Sequence, residues 1–553
     1  MLLRAGVIGA VVGLAASIGA AQEDPHAACA AIGWVPREVL DRPVPVRQGI
    51  GRAHEDLAGA SAQVQALHDQ GLAYLHSYMW IEAARSFRAA LRLDPGQALT
   101  WVGLSRTFTG LNDDAAARKS QAEAERLAAR ADARVKRHVA ARARHLEALA
   151  DLADASRHRA YRQALDDALA AEPNDVELLL LRGHAEEATA AGRGQRGNEA
   201  SERYYLKVLA VSPDDFAAHH YLIHNYEGLG RIDDALLHGA AYVRLAPEVP
   251  HAHHMHGHDL RRVGRVDEAI AAFLKTYELE KAYYASENIA AAFDWHHGHN
   301  LDLLSTAYQH QGRMRLAEQH MRESHALPAM VDYREFNLKE WPGFLISRGR
   351  NEEALAAAGH LIGGQWPTTR AVGHVMAGHA LIALGRRDDA VAALVAADDA
   401  YREIPAKPVF GRMVSRSSVE PYLDGLRGEL LLRGAADERA EARVILKDVQ
   451  QRIRAVPGPD AWTEALFRLE GIARAARTAG DWELAAYTAG QMREHDPNYG
   501  GTHLALGLVA QHEGRTAEAA REMAEAVRLW GHADADLPEL AEARERSRAL
   551  AMK

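Results

Sequence analysis

Cysteine is almost absent from this chain of 553 residues, which contains one, Cys29. One cysteine cannot form an internal disulfide, and it excludes a metal site built from several thiolates. Basic residues are also too few for nucleic-acid binding, because 65 Lys and Arg stand against 75 Asp and Glu. We therefore expect no nucleic-acid partner, and any metal site must use nitrogen or oxygen ligands.

Long apolar runs are missing after residue 21. Before that point, a basic residue and an apolar run lead to two small residues, Gly19 and Ala21, which are placed for cleavage before Gln22. We therefore predict a cleaved signal peptide over 1–21, a periplasmic or secreted protein, and no membrane span after cleavage. A lipid anchor on Cys29 is disfavoured, because the residues before it fit a lipidation site poorly.

A repeating unit of 34 residues is visible in its clearest form at 64–97. Small residues, Gly71 and Ala83, stand at positions 8 and 20, where two antiparallel helices must approach closely. An aromatic residue, Phe87, can fill the seam between those helices, and Pro95 stops the second one. The pattern predicts a helix-turn-helix hairpin.

The turn between the two helices returns in phase along the chain. Its mark is a glycine followed five residues later by an alanine, in the pairs Gly230/Ala235, Gly264/Ala269, Gly312/Ala317, Gly349/Ala354, Gly385/Ala390, Gly480/Ala485 and Gly514/Ala519. This pattern resembles the consensus of the tetratricopeptide repeat family, in its exported bacterial form. The resemblance implies an all-α solenoid, a right-handed superhelix whose concave groove takes a protein or peptide partner. It implies no activity.

Two segments depart from the repeat. The proline-containing segment 22–61 is predicted to form an N-terminal arm, and a second one, 403–420, is predicted to form a hinge. The array is thereby divided into an N-terminal part, 62–402, and a C-terminal part, 421–553. The N-terminal part has a histidine-rich centre at 216–325.

Histidine is the residue type in excess, and fifteen of the 30 histidines lie between positions 219 and 325. In two consecutive units, positions 5 and 9 of the first helix hold His220 and His224, and then His254 and His258. Residues four apart share a helix face, and in the tetratricopeptide family these positions look into the groove. We predict that the four imidazoles converge on one divalent transition metal, with Zn, Cu(II) or Ni favoured by nitrogen ligands.

Six further residues are placed near this predicted site and are possible additional groove residues. They are His251, Glu227, His296, His297, His299 and Asp302. The four paired histidines are expected on an open polar face, so that His220→Ala combined with His254→Ala should leave the stability of the metal-free protein nearly unchanged, as for surface substitutions that cost within about 0.5 kcal/mol. By contrast, His219 and His253, at position 4, are expected to be structural.

Two alternatives to a metal-binding scaffold remain open. The groove histidines could contact a peptide, which would make the chain a peptide-binding solenoid. A metal-dependent hydrolase would instead need a general base, such as Glu227 or Asp302, beside a metal-bound water. Catalysis is the least favoured alternative, because the sequence contains no His-Glu-x-x-His metalloprotease motif and no Gly-x-Ser-x-Gly motif.

Overall fold

The computed structural model describes residues 35–187, 197–407, 409, 412, 414–456 and 458–551, so the predicted signal peptide and Cys29 lie outside the described residues. The first helices are α1 (Arg37–Leu40), α2 (Ala62–His76), α3 (Trp80–Leu93), α4 (Ala98–Gly110), α5 (Asp114–Ala128), α6 (Ala133–Ala150), α7 (Ala155–Ala171), α8 (Val176–His184), α9 (Glu199–Val211), α10 (Phe216–Leu229), α11 (Ile232–Leu245), α12 (Pro250–Arg262) and α13 (Val266–Glu287). A 3-10 turn (Ala291–Phe293) precedes α14 (Trp295–His310), α15 (Met314–Ala326), α16 (Asp332–Asn337), α17 (Glu340–Ser347), α18 (Asn351–Ile362), α19 (Pro367–Ala383) and α20 (Arg387–Arg402). The last helices are α21 (Arg416–Leu432), α22 (Ala436–Ala455), α23 (Pro459–Thr478), α24 (Trp482–His495), α25 (Gly500–His512), α26 (Thr516–Leu529) and α27 (Pro538–Ala551).

The predicted all-α class is confirmed, since no strand occurs within these described ranges. Consecutive helices pack as antiparallel hairpins, for example α2 with α3, α10 with α11 and α12 with α13. None of the described helices is both long and apolar enough to span a membrane.

The predicted turn glycines have the backbone conformation that requires glycine. All seven have positive φ values, between 71° and 80°, a region that glycine enters without steric cost. The two earliest units place Tyr78 (φ 57°) and Asn112 (φ 55°) at the same turn position. The first helix of each hairpin therefore ends at a fixed point, which fixes the phase of its side chains.

Small residues let the two helices of a hairpin meet, as the sequence predicts. Phe87 is fully buried, and a Cβ atom added to Gly71 would lie 2.5 Å from its ring. The same contact recurs in a later unit, where a Cβ atom on Gly257 would lie 2.6 Å from the ring of Phe273. A larger residue at position 8 would force the hairpin apart.

Side chains at position 4 tie each unit to the turn before it. Rings of His219, His253 and His503 lie 3.3, 2.9 and 2.8 Å from the carbonyl oxygen of the proline six residues earlier. Trp101 makes the same contact at 3.0 Å. Because a carbonyl oxygen only accepts, each ring donates an N–H. The structural role expected of His219 and His253 is therefore confirmed, although their rings turn toward the preceding loop.

The superhelix winds tightly enough for distant parts of the chain to touch. The backbone N–H of Glu248 donates to the carbonyl of Gly49, in the predicted arm, at 2.9 Å. On the other side of the central units, His310 lies 3.0 Å from Asp496, which is 186 residues later. The concave side of the central units is therefore enclosed by other parts of the same chain.

Helix packing also continues across the predicted hinge at 403–420. Helix α20 ends at Arg402 and α21 begins at Arg416, within that segment. Helix α19 contacts both α20 and α21, so the units on either side are directly packed.

Candidate metal centre

Three helices with fixed starting points carry the histidine-rich positions. Asp215 caps the N-terminus of α10 and Asp294 that of α14, each through its side chain, while Pro250 is the first residue of α12. A carboxylate cap or an N-terminal proline sets where the first helical turn begins. Positions 2, 5 and 9 of these helices therefore come to face one another.

The four predicted ligands lie in two groups rather than in one, and each group gains a third histidine. The first trio is His220, His224 and His251, and the second trio is His254, His258 and His299. Within each trio, candidate ligand atoms all lie within 4.8 Å of one another. Both trios combine positions 5 and 9 of one unit with position 2 of the next, so the repeat generates the same arrangement twice.

Five of the six trio histidines are buried and the side chain of His224 is 11% exposed, which shows that the expectation of an open polar face is wrong. His220 and His254 are 0% exposed, and His258 is 3% exposed. The turn between α2 and α3 covers the first trio. Tyr78 belongs to this turn, and its ring centroid is 4.6 Å from that of His220. The burial arises because the superhelix brings the first hairpin onto α10, a contact that spans 144 residues along the chain.

Tyr78 is held in a strained backbone conformation at this position. Seven later units use glycine where Tyr78 has its positive φ, and a non-glycine residue there costs about 1–3 kcal/mol. Its ring lies 6.0 Å from that of His224 and 5.2 Å from that of His251, between centroids. The turn therefore places an aromatic cover on the first trio. An aromatic residue at a turn position that holds glycine in seven later units is the sequence signal for it.

Hydrogen bonds on the far side of each ring determine which nitrogen faces the first trio. Nδ1 of His220 lies 2.7 Å from the carbonyl oxygen of His76, which only accepts, so this Nδ1 carries the proton. Nδ1 of His296 is bonded to the carboxylate of Glu280 at 2.5 Å. Its Nε2 therefore accepts from Nδ1–H of His251, which is 2.9 Å away. As a result, Nε2 of His220 and Nε2 of His251, 3.0 Å apart, both present lone pairs.

The third nitrogen of the first trio is Nε2 of His224, which lies 3.2 Å from Nε2 of His220. The bare nitrogens of His220 and His251 repel each other unless a cation lies between them, and Nε2 of His224 is close enough to be a third ligand of that cation. Four Zn–N bonds of about 2.0–2.1 Å place neighbouring nitrogens about 3.3 Å apart, close to the separations found here. Burial holds the pKa of His220 and the pKa of His251 well below the ordinary value, so a proton is a poor substitute for a metal.

The second trio is held in the same way by different partners. Nδ1 of His254 lies 2.9 Å from Oδ1 of Asn300, whose Nδ2 donates to the carbonyl of Phe273 at 3.0 Å. The Asn300 oxygen must therefore accept, which leaves Nε2 of His254 without a proton. That Nε2 lies 2.8 Å from Nε2 of His258, whose Nδ1 is 3.3 Å from the carboxylate of Glu227.

Glu227 lies between the two trios and contacts the far side of both. Its carboxylate is 3.6 Å from Nδ1 of His224 and 3.3 Å from Nδ1 of His258, and neither oxygen has a well-formed hydrogen bond within the described part of the chain. Burial raises the pKa of Glu227, but the two histidines outweigh it and bring the pKa to about 2. An ionised carboxylate buried among imidazoles favours a bound cation nearby.

The other predicted groove residues lie outside both trios. His296 and His297 bind the two carboxylate oxygens of Glu280, at 2.5 and 2.7 Å, and His296 in turn holds the ring of His251. Glu280 is fully buried in α13 and was not among the residues predicted from the sequence. It orients a candidate ligand through His296.

Neither acid proposed as a general base is placed for that role. Asp302 accepts a hydrogen bond from Ser324 at 2.6 Å and pairs with Arg334 at 2.9 Å. Glu227 contacts the Nδ1 side of the rings of His224 and His258, whereas the candidate ligand atoms that face one another are Nε2. The arrangement therefore suits holding a metal better than activating water on it.

A third cluster with metal-ligand chemistry is explained by ion pairs. Nε2 of His138 lies 2.9 Å from Asp175, and its Nδ1 lies 3.2 Å from Glu55. Arg134 also pairs with Asp175, at 3.1 Å. These cations already compensate the carboxylates, so this cluster needs no metal to be stable.

Hairpins, glycine turns and small-residue seams define the fold: an all-α solenoid of helix-turn-helix repeats of the tetratricopeptide type. No protein-family model matches the chain, and no curated protein matches it. It is similar in structure to a tetratricopeptide repeat protein from Parabacteroides merdae, with 13% identity over 50% of this chain and 98% of that chain and a TM-score of 0.29. It is also similar to YrrB, a TPR protein with an unusual peptide-binding site, with 16% identity over 36% of this chain and 93% of that chain and a TM-score of 0.26. A third similar structure is the APC/C hetero-tetramer Cut9–Hcn1, with 11% identity over 88% of this chain and 84% of that chain and a TM-score of 0.33. At these identities and TM-scores, the similarity carries no argument about function.

Proposed function

We propose that this protein is an exported tetratricopeptide-type scaffold that binds a divalent transition metal at its centre. The observation that carries the proposal is the first trio, in which Nε2 atoms of three histidines converge and two of them present lone pairs. Neutral imidazole is the commonest ligand for such metals, with Zn, Cu(II) and Ni as candidates. Outer partners that fix each ring are a usual part of metal sites. Export depends on the predicted signal peptide at 1–21.

A metal at the first trio would join three parts of the superhelix. His220 and His224 belong to α10, and His251 belongs to α12. The ring of His220 also donates to the carbonyl of His76, at the end of α2. Binding would therefore stabilise the folded array by mass action, because the unfolded chain holds no preformed site.

Metal titration tests the proposal directly. Chelator-stripped protein should bind Zn(II) or Ni(II) at neutral pH, and the variant His220→Ala/His224→Ala/His251→Ala should bind one ion fewer. Calorimetry with elemental analysis of the bound metal measures both quantities. The matched control is His253→Ala, also on α12, whose ring lies 2.9 Å from the carbonyl of Pro247 instead.

Two outcomes would contradict this proposal. Equal metal binding by the wild type and the triple variant would show that the first trio is not the site. A wild-type protein that binds no transition metal would leave peptide binding as the remaining function.

Peptide binding is a second candidate function, and a separate groove favours it. A cavity of about 410 Å³ lies among α17, α19 and α21–α23, lined by apolar side chains such as Phe344 and Phe467 and by charged ones such as Lys339 and Glu464. Cavities of this size and mixed lining are typical of ligand sites. Because the central concave side is enclosed, a partner would bind in this groove and not against the histidine trios.

A large side chain placed in this groove should weaken peptide binding there. Gly471 lines the cavity, and a Cβ atom on it would meet nothing within 4 Å, so Gly471→Trp should extend an indole into open space. We expect the affinity for decapeptides from a random library to fall at least about tenfold, as measured by fluorescence anisotropy. Gly490→Trp is the control, because Gly490 is equally open but lies outside the groove. Unchanged binding in Gly471→Trp would exclude this groove.

A further inference from the structure

The second trio repeats the construction of the first, one unit further along the chain. His254 and His258 occupy positions 5 and 9 of one repeat unit, in α12, and His299 occupies position 2 of the next unit, which begins at Gly298 within α14. All three side chains are buried, at 0%, 3% and 5% exposure. A register shared by both trios means that the same helix geometry directs three imidazoles to one point in each unit.

Two nitrogens of the second trio also face each other closely. Asn300 holds the proton of His254 on Nδ1, so its bare Nε2 lies 2.8 Å from Nε2 of His258. A hydrogen bond between these two nitrogens requires the His258 proton on Nε2, and this tautomer turns a bare Nδ1 toward the ionised carboxylate of Glu227 at 3.3 Å. A cation between the two Nε2 atoms would instead leave the His258 proton on Nδ1, beside the carboxylate.

The third member of this trio is positioned by aromatic side chains. Trp295 stacks on the ring of His299 with a centroid separation of 5.7 Å and an angle of 21°. The hydroxyl of Tyr333 lies 3.0 Å from Nδ1 of His299. These contacts hold the imidazole near His254, whose ring centroid is 4.7 Å away. The ring is therefore fixed before any ligand arrives.

One shared ion cannot satisfy both trios. In the first trio Nε2 of His220 is directed at His224 and His251, whereas in the second trio Nε2 of His254 is directed at His258. We infer that the second trio is a metal site of its own, so that the protein binds two divalent transition-metal ions of the Zn, Ni or Cu(II) class in adjoining sites. This inference rests on the proposed function. Glu227, whose carboxylate contacts a ring of each trio, reduces the repulsion between the two ions.

Counting bound ions in single variants tests the inference. Native mass spectrometry of zinc-loaded protein should find two Zn(II) ions in the wild type and one in either His251→Phe or His299→Phe. The double variant should bind none. Phenylalanine preserves an aromatic ring of similar size without a ligand atom, and His253→Phe on the outer side of α12 is the control. Circular dichroism and a melting curve verify that each variant is folded.

The possible failures of the two proposals are distinguishable. If the wild type binds one ion, and this ion is still bound by His299→Phe but not by His251→Phe, the second site does not exist and the first proposal stands. One ion that is lost in either variant would indicate a single shared site, and would also overturn this inference. If the wild type binds no ion, the proposed function itself is contradicted. If His299→Phe does not fold, X-ray absorption at the zinc edge of the zinc-loaded wild type gives the number of imidazole ligands per ion, and we expect three.

Discussion

Replacing His220 by alanine is expected to destabilise the metal-free protein by about 2–4 kcal/mol. The ring is fully buried between Tyr78 and Tyr242, with centroid separations of 4.6 and 5.0 Å. Its removal leaves a cavity, and it also leaves the carbonyl of His76 without the N–H that it accepts. The sequence alone favours a nearly neutral substitution, so this result separates the two descriptions of the site.

Hydrogen exchange is the appropriate measurement, because repeat arrays need not unfold in one step. In His220→Ala, amides of the turn at 77–79 should exchange faster, since this turn is the part of the first hairpin that packs on α10. His253→Ala removes one exposed hydrogen bond and is expected to cost no more than about 1 kcal/mol. Equal effects of the two substitutions would show that His220 is not a packing residue.

The fold could be predicted from the sequence because a repeat array is built from local contacts. The spacing of Gly230 and Ala235, or of Gly264 and Ala269, reports one hairpin and its neighbour, all within a few dozen residues. Those same turns then appear with φ values of 73° and 80°. Helix class, turn position and the shared face of positions 5 and 9 follow from this period alone.

The environment of the site could not be predicted in the same way. His220 is bonded to a carbonyl 144 residues earlier, and that contact depends on the pitch of the whole superhelix. Small changes in the angle between units accumulate along the array, so no pattern within one unit reveals the cover formed by Tyr78. Glu280 and Asn300, which fix the tautomers, belong to the packed core and carry no motif. The position-2 histidines His251 and His299 were visible as groove residues, but not as members of two trios.

Glu227→Gln is expected to weaken metal binding by about 10–100-fold. The negative carboxylate faces Nδ1 of both His224 and His258. It attracts the Nδ1–H groups and so makes the Nε2 atoms of the two rings more basic ligands. The amide has a single oxygen, so only one of the two Nδ1–H groups can face an acceptor. The other ring is driven to carry its proton on Nε2, which blocks a ligand position.

The metal-free protein should also lose stability, because the folded state holds the pKa of Glu227 at about 2 and so favours the ionised carboxylate. This contribution is complete above the ordinary carboxyl pKa of about 4.3, so the difference in stability between the wild type and Glu227→Gln should shrink as the pH falls from about 4.3 toward 2. Calorimetry gives the zinc affinity, and a melting curve of the chelator-stripped protein gives the stability. Glu202→Gln is the control, since Glu202 pairs with Arg231 away from both trios. Unchanged zinc affinity would show that the charge of Glu227 does not reach the ligating nitrogens, and unchanged stability at neutral pH would show that the two histidines do not compensate its buried charge.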